Sequence, residues 1–145
     1  MITDSTGFAR LLGYAGALPF IGLALAHRLD ISAGSADNGF LLYAYGIVIL
    51  SFLGGMHWGR IAADTDAGAP SAKWLAFAVC PSLIGWFSLF FDLPVAVIML
   101  IGGFIICAVI DLRLVAMGIF ASWMYELRLV LSLIACTSLA SLFFV

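Results

Sequence analysis

Long apolar runs alternate with short polar stretches along this sequence. Runs without a charged residue cover residues 11–26, 40–59, 74–91, 94–110 and 129–145. A helix that crosses a bilayer needs about 20 predominantly apolar residues, with some spread in length. The pattern therefore predicts an all-α fold, an integral membrane bundle of five transmembrane helices.

Glycine and proline mark irregular points within these runs. The first run contains Gly13, Gly16 and Pro19, which predicts a kinked and closely packed helix. Pro81 lies in the middle of the third run, where it removes one backbone donor. We therefore expect the first and third helices to bend.

Residues 111–126 do not fit the regular pattern. Asp111 and Arg113 interrupt the apolar sequence, and the apolar stretch from 114 to 123 is too short to cross a bilayer. Glu126 and Arg128 then precede the last run. The pattern favours an interfacial or re-entrant segment before the last helix over a distorted sixth span.

The composition supports one transmembrane domain over residues 1–145. The chain is 65% hydrophobic and only 10% charged, whereas soluble domains are about 25% charged. Six basic residues are scattered and the net charge is −2, so nucleic acid is not an expected partner. The bilayer is the expected partner, with other membrane proteins or a second copy of the chain as further possibilities.

The three cysteines do not suggest a metal site. Cys80, Cys107 and Cys136 lie in three different apolar runs, and no two of them have the spacing of metal ligands. We expect them to be small buried residues.

The basic residues predict the orientation in the membrane. With five spans, one side of the membrane carries five of them, Arg10, Arg60, Lys73, Arg113 and Arg128, and the other side carries only Arg28. Positive charge accumulates on the cytoplasmic side. This predicts a bacterial inner membrane protein, or a mitochondrial inner membrane protein, with its N-terminus inside and its C-terminus outside.

His57 is the one histidine inside a hydrophobic run. Spacings of three and four residues place it on one face of the second helix with Leu50 and Gly54. Arg60 and Asp64 border that face near the end of the helix and could form an i,i+4 pair. The small Gly54 leaves space beside the imidazole for another group.

The predicted topology brings further polar residues to the end of the bundle that contains His57. Ionisable groups at membrane depth usually face the interior and pair with one another. We expect His57 to bind Asp111 or the 123–128 segment, with Trp58 beside it near the interface. In the alternative, the arginines only orient the protein by extending to the interface. The candidate binding or structural set is His57, Trp58, Arg60, Asp64, Asp111 and Arg128.

Small residues on the second helix indicate helix packing. Gly55 and Gly59 form a G-x-x-x-G motif, which lets a neighbouring backbone approach closely. Together with Gly54, they are the candidate helix-packing residues.

Known catalytic templates are missing from the sequence. It contains no H-E-x-x-H motif, nucleophile elbow, phosphate-binding loop or C-x-x-C motif. A bis-histidine haem is disfavoured because the topology places His27 and His57 at opposite membrane faces. No catalytic residue and no metal ligand is assigned, and the cofactor is unknown.

Several stretches resemble the transmembrane-protein-69-like family, which is also described as a domain of unknown function in bacteria and mitochondria. They are residues 18–20, residues 45–59, and Trp123 with Leu127 and Arg128. The F-L-G-G-x-H-W-G block within 51–59 is the specific part, and the resemblance covers most of the chain.

The last motif departs from the family pattern. Met124 stands where a tyrosine is expected, with Tyr125 next, and Ser132 replaces a threonine. The family has no established activity, so the resemblance implies membrane location and helical architecture. It also suggests that His57, Trp58 and Arg128 act together.

Two functions remain open from the sequence. The first is a non-enzymatic accessory or assembly component that packs against other membrane proteins, as the small size and glycine strips suggest. The alternative is a binder of an amphipathic small molecule, such as a quinone, a lipid or a porphyrin-like compound, in a cytoplasmic-side pocket around His57. Acid–base catalysis by His57 is a third and weaker possibility.

Overall fold

The computed structural model describes residues 5–31, 37–63 and 72–144. The helices are α1 (Ser5–Ala15), α2 (Leu18–Arg28), α3 (Asn38–Ala62), α4 (Ala72–Ser88), α5 (Leu93–Ala116) and α6 (Ser122–Ala140), with a 3₁₀ turn at Ser141–Phe143. Four helical segments are long and apolar enough to cross a membrane: Thr6–Arg28, Asn38–Ala62, Leu93–Ala116 and Ser122–Phe143. The predicted all-α membrane bundle is confirmed.

Helix α4 is the short member of the bundle, with 17 residues. At 1.5 Å per residue it rises about 25 Å, slightly less than the hydrocarbon thickness of about 30 Å. The apolar residues Leu89, Phe90 and Phe91 follow it directly and add exposed apolar surface. Together with these residues, α4 accounts for the remaining predicted span.

The outer surface of the bundle is strongly apolar. Leu18, Phe52 and Phe90 are each more than 60% exposed, whereas Leu42 and Leu50 in the core are fully buried. Exposure of so many large hydrophobic side chains is unfavourable in water but favourable among lipid chains. The arrangement fits a protein that contacts the bilayer on its outer face.

The first membrane segment is broken between α1 and α2. Gly16 and Ala17 form a turn, and Pro19 follows in the first turn of α2, a position that tolerates its missing N–H. The Tyr45 hydroxyl donates a hydrogen bond of 2.9 Å to the Gly16 carbonyl. A side chain on α3 thereby satisfies a backbone acceptor at the break, as the membrane interior requires.

Helix α3 lies at the centre and packs against α2, α4, α5 and α6. Its buried face carries Leu50, Gly54, His57 and Ile61, the stripe that the spacing of the sequence indicates. At Gly54, a Cβ would lie 2.5 Å from the Ala78 carbonyl oxygen. Only glycine therefore fits where α3 meets α4 at this height.

The two other candidate packing glycines behave differently. A Cβ at Gly55 or at Gly59 would meet no atom of another described part of the chain within 4 Å. Helix α4 packs against the Gly54 face, so among the described residues the G-x-x-x-G motif lies on an open side of α3.

The connection between α5 and α6 differs from the sequence prediction. In place of a separate interfacial or re-entrant segment, α5 continues to Ala116 and α6 begins at Ser122. Asp111 and Arg128 lie within helices because they are paired inside the bundle, so their charges do not end the helices. The chain reverses over residues 117–121 alone.

A glycine C-cap produces this short turn. Gly118 has a φ of 72°, a left-handed conformation that glycine adopts without strain. The Ile119 N–H bonds the Leu114 carbonyl and the Gly118 N–H bonds the Val115 carbonyl, both at 2.9 Å. This is the Schellman arrangement, and Ile119 packs near Leu114 as that motif requires.

Candidate functional site: a buried His–Asp–Arg cluster beside a lateral cavity

Three polar side chains meet at one end of the bundle: His57, Asp111 and Arg128, here called the polar cluster. His57 lies five residues before the end of α3, Asp111 five residues before the end of α5, and Arg128 six residues after the start of α6. At 1.5 Å per residue, each is about 8–9 Å from its helix end. All three are at most 3% exposed.

Asp111 joins the other two members. Its Oδ1 lies 2.6 Å from His57 Nε2, and its Oδ2 accepts a hydrogen bond of 2.7 Å from Arg128 Nε. The Nη2 atom of Arg128 lies 3.2 Å from His57 Nε2, and Nη1 lies 3.5 Å from the Met56 sulfur. The cluster therefore ties the ends of α3, α5 and α6 together.

The ion pair with Arg128 favours an Asp111 carboxylate, and this assigns the hydrogen-bond roles that the distances alone leave to the histidine tautomer. A carboxylate accepts the Arg128 Nε–H on one oxygen and can only accept on the other, so the short contact places a hydrogen on His57 Nε2. Arg128 Nη2 is also a donor, and it cannot donate to a nitrogen that already carries a hydrogen. With that tautomer, the 3.2 Å contact between Nη2 and Nε2 brings two donors together and gives Nη2 no acceptor among the described residues.

Phe120 covers the polar cluster from the α5–α6 turn. Its ring stacks on the His57 imidazole with a centroid distance of 5.6 Å, and the Arg128 guanidinium carbon lies 5.6 Å from its centroid. Phe120 is 4% exposed. Arg60 Nε donates a 2.9 Å hydrogen bond to the Ile119 carbonyl and so holds the same turn. An aromatic ring therefore covers the cluster on the side of the α5–α6 turn.

Trp58 and Arg60, the two other candidates that the structure describes, lie outside the polar cluster. Trp58 is 45% exposed because it is one residue, about 100°, around α3 from His57. Asp64 lies outside the described residues. Arg60 contacts the turn that covers the cluster and not the cluster itself.

Two contributors were not identified from the sequence: Phe120 and Met56. Phe120 lies in a turn, where helical periodicity gives no guide. Gly118 could have predicted this turn, since a glycine after an apolar helical run predicts a C-cap and a sharp reversal of the chain. Met56 gave no signal that would separate it from an ordinary apolar residue of α3.

A cavity of about 520 Å³ lies beside the polar cluster, between the α1–α2 segment, α3 and α6. We call it the lateral cavity. Its walls are apolar apart from Arg128, Ser132 and the indole of Trp123; they include Leu12, Gly16, Phe20, Val48, Phe52 and Met56. Along α3 its lining residues extend from Val48 to Met56, eight residue steps that rise about 12 Å.

The arrangement offers hydrogen-bond donors at one wall of an apolar space. Pockets that take drug-sized or cofactor-sized molecules usually have volumes of 300–1,000 Å³ and a few polar groups among apolar walls. His57 does not line the lateral cavity, but it contacts Arg128, which does. Among residues 5–31, 37–63 and 72–144, no group of three metal-binding side chains occurs.

Fold and site together define a small polytopic membrane protein with a buried charged cluster at one end of its helices. The chain belongs to the family described as "Protein of unknown function (DUF3429)", whose model matches residues 6–144. It is 31% identical over 140 residues to Transmembrane protein 69 of Xenopus tropicalis, covering 95% of this chain and 54% of that protein.

A second relative is Transmembrane protein 69 of Mus musculus, 30% identical over 139 residues, covering 94% of this chain and 56% of that protein. The chain spans about half the length of these relatives. No solved structure gives a significant match.

Proposed function

We propose that this protein binds an amphipathic small molecule within the membrane, in the lateral cavity. The observation that carries the proposal is a 520 Å³ apolar space with the buried Arg128 at its wall. The space lies among α1, α2, α3 and α6, so a ligand could enter from the lipid phase. From the sequence we placed an accessory role first; because of this cavity we now place ligand binding first.

The shape of the cavity also supports an amphipathic ligand. Arg128 is six residues from the start of α6 and lies near one membrane face, whereas Phe20 and Val48 lie deeper in the bundle. A molecule with its polar group at Arg128 would extend its apolar part toward the bilayer centre. That orientation matches the orientation of lipids and other amphiphiles in the surrounding leaflet.

The test compares two valine variants of the purified protein. Val48→Trp would fill the lateral cavity from its outer side, since Val48 lines it and is 61% exposed. Val79→Trp is the matched control, because Val79 is 39% exposed on α4, a helix that contributes no residue to the cavity lining. Solvent extraction and mass spectrometry should find a stoichiometric amphiphile in the wild type and control only. Equal retention by Val48→Trp would refute the proposal.

A second candidate function is an accessory component that packs against another membrane helix. Its specific support is the open side of α3, where Gly55 and Gly59 could accept a close backbone contact. Leucine at both positions should reduce the size of the assembly in a mild-detergent native gel. Gly102→Leu, at another open glycine, is the control. An unchanged assembly size would count against this function.

We also propose that the end of the bundle with the polar cluster faces the cytoplasm or the mitochondrial matrix. Arg128 is neutralised by Asp111, so it should not count toward the charge asymmetry. Arg10, Arg60, Lys73 and Arg113 remain on this side against Arg28 on the other. A reporter fused after Val145 should therefore report the outer side, and an inner-side signal would reverse the assignment.

A further inference from the structure

We propose that the lateral cavity selects an amphiphile with a neutral hydrogen-bond-accepting head, such as a ketone, quinone or ester carbonyl, over one with an anionic head. This inference rests on the proposed function of ligand binding. It concerns the head group alone, which the charge and the number of hydrogen-bond donors of the polar cluster determine.

The charges at the cavity wall cancel. Arg128 and Asp111 form a 2.7 Å ion pair with both side chains at most 4% exposed. Moving a carboxylate or phosphate from water into an apolar cavity is costly unless a net opposite charge compensates for it. The guanidinium is already compensated by Asp111, so an anionic head would receive little net attraction and would be repelled by the Asp111 carboxylate.

Hydrogen-bond donors, in contrast, are in surplus. Guanidinium has five N–H groups. Within the described chain, Nε donates to Asp111, Nη1 reaches only the Met56 sulfur, and Nη2 faces Nε2 of His57, which carries the hydrogen directed at Asp111. A thioether is a weak acceptor, and Arg128 is 3% exposed. Nη1 and Nη2 therefore carry hydrogens that lack a good acceptor in a place that water scarcely reaches.

A neutral carbonyl would supply the missing hydrogen-bond acceptor. It supplies acceptor lone pairs without bringing a charge, and its desolvation cost is much smaller than that of an anion. Met56 lines the lateral cavity and contacts Nη1, so the Nη1 end of the guanidinium lies at the cavity wall. A carbonyl that enters beside Met56 would take over the position in which sulfur now meets Nη1.

The experiment measures binding of three probes that share a sixteen-carbon chain: methyl palmitate, palmitate and hexadecane. Each is titrated against the purified full chain in mild detergent, with native mass spectrometry as the readout. We expect methyl palmitate to bind about tenfold more tightly than hexadecane, equivalent to about 1.4 kcal/mol. Palmitate should show no such gain over hexadecane.

Two variants separate the head-group inference from the proposed function. Met56→Leu keeps the side-chain volume but removes the sulfur from Nη1. It should strengthen methyl palmitate binding by about threefold, roughly 0.6 kcal/mol, without changing hexadecane binding. Val48→Trp should abolish binding of all probes, and Val79→Trp should abolish none.

The possible results have distinct meanings. If palmitate binds best, or if all three probes bind equally, and Val48→Trp removes that binding, the cavity binds amphiphiles but the head-group inference is wrong. If Val48→Trp leaves every affinity unchanged, or no probe binds, the proposed function and this inference both fail.

Discussion

Helix α3 makes two buried polar contacts on the same stripe, and they differ in charge. Near one end, the Tyr43 hydroxyl lies 2.7 Å from Ser88 Oγ and joins α3 to α4. Near the other end, His57 joins Asp111 and Arg128. The first contact is neutral and pairwise, whereas the second is charged and holds three helices.

The difference predicts unequal sensitivity to mutation. A neutral pair in a membrane contributes about 0.6 kcal/mol on average, because the alternatives also find hydrogen-bond partners. Removing one member of a buried ion pair costs about 3–5 kcal/mol, since the other charge is left uncompensated. Loss of a single charge at the α3–α5–α6 end should therefore destabilise the protein strongly. Loss of one hydroxyl at the α3–α4 contact should destabilise it only slightly.

The largest effect is expected at the ion pair. Asp111→Asn or Arg128→Gln should each lower the free energy of unfolding by about 3–5 kcal/mol, since each leaves a buried partner charge. The double variant should lose less than the sum of the two. Unfolding by denaturing detergent in mixed micelles provides the measurement. Arg113→Gln, at an exposed arginine of α5, is the control and should change little.

Additive losses in that series would show that Asp111 and Arg128 act independently. The charged end would then consist of uncoupled side chains, and charge pairing would not distinguish it from the neutral contact.

The next effect is expected at His57. His57→Ala removes a hydrogen bond to a charged partner and the stacked contact with Phe120, for a loss of about 2–4 kcal/mol. The Asp111–Arg128 pair would remain, so the loss should be smaller than for either charge. Trp58→Ala, at the exposed neighbour, is the control in the same unfolding measurement. A loss at His57 no larger than at Trp58 would contradict its role in the cluster.

Much of the fold could be predicted from the sequence because a helix that crosses lipid needs a long apolar run, and charged residues usually mark its ends. Apolar runs without charges at 40–59 and 94–110 each became part of a spanning helix. The rule failed at residues 111–128, because it treats charge as a helix boundary. Asp111 and Arg128 are helical and buried because each neutralises the other, which only the tertiary structure could reveal.

The polar side chains of the site were visible in the sequence, but its surroundings were not. Helical spacing placed His57 and Gly54 on one face, and topology brought Asp111 and Arg128 to the same end. The lateral cavity depends on where the α1–α2 segment packs against α6, and periodicity carries no information on that packing. The position of Phe120 could have been predicted only by identifying Gly118 as the C-cap that produces the turn.

A third effect contrasts adjacent glycines of α3. Gly54→Ala would place a Cβ 2.5 Å from the Ala78 backbone oxygen, and the resulting shift of α4 should cost about 1–3 kcal/mol. Gly55→Ala is the control, since no other part of the described chain lies within 4 Å of its Cβ position. Melting in mild detergent should fall for the first variant only, and equal melting would show that α4 can move away freely.

The smallest effect is expected at the neutral contact, where Tyr43→Phe removes one hydroxyl. Ser88 donates its hydrogen to the Gly85 carbonyl at 2.7 Å, so Tyr43 must be the donor to Ser88 and Ser88 keeps its other bond after the change. The free energy of unfolding should fall by about 0.6 kcal/mol. Tyr14→Phe, at a tyrosine that is 49% exposed, is the control in the same detergent titration. A loss at Tyr43 as large as at His57 would mean that burial, and not charge, determines how α3 is held.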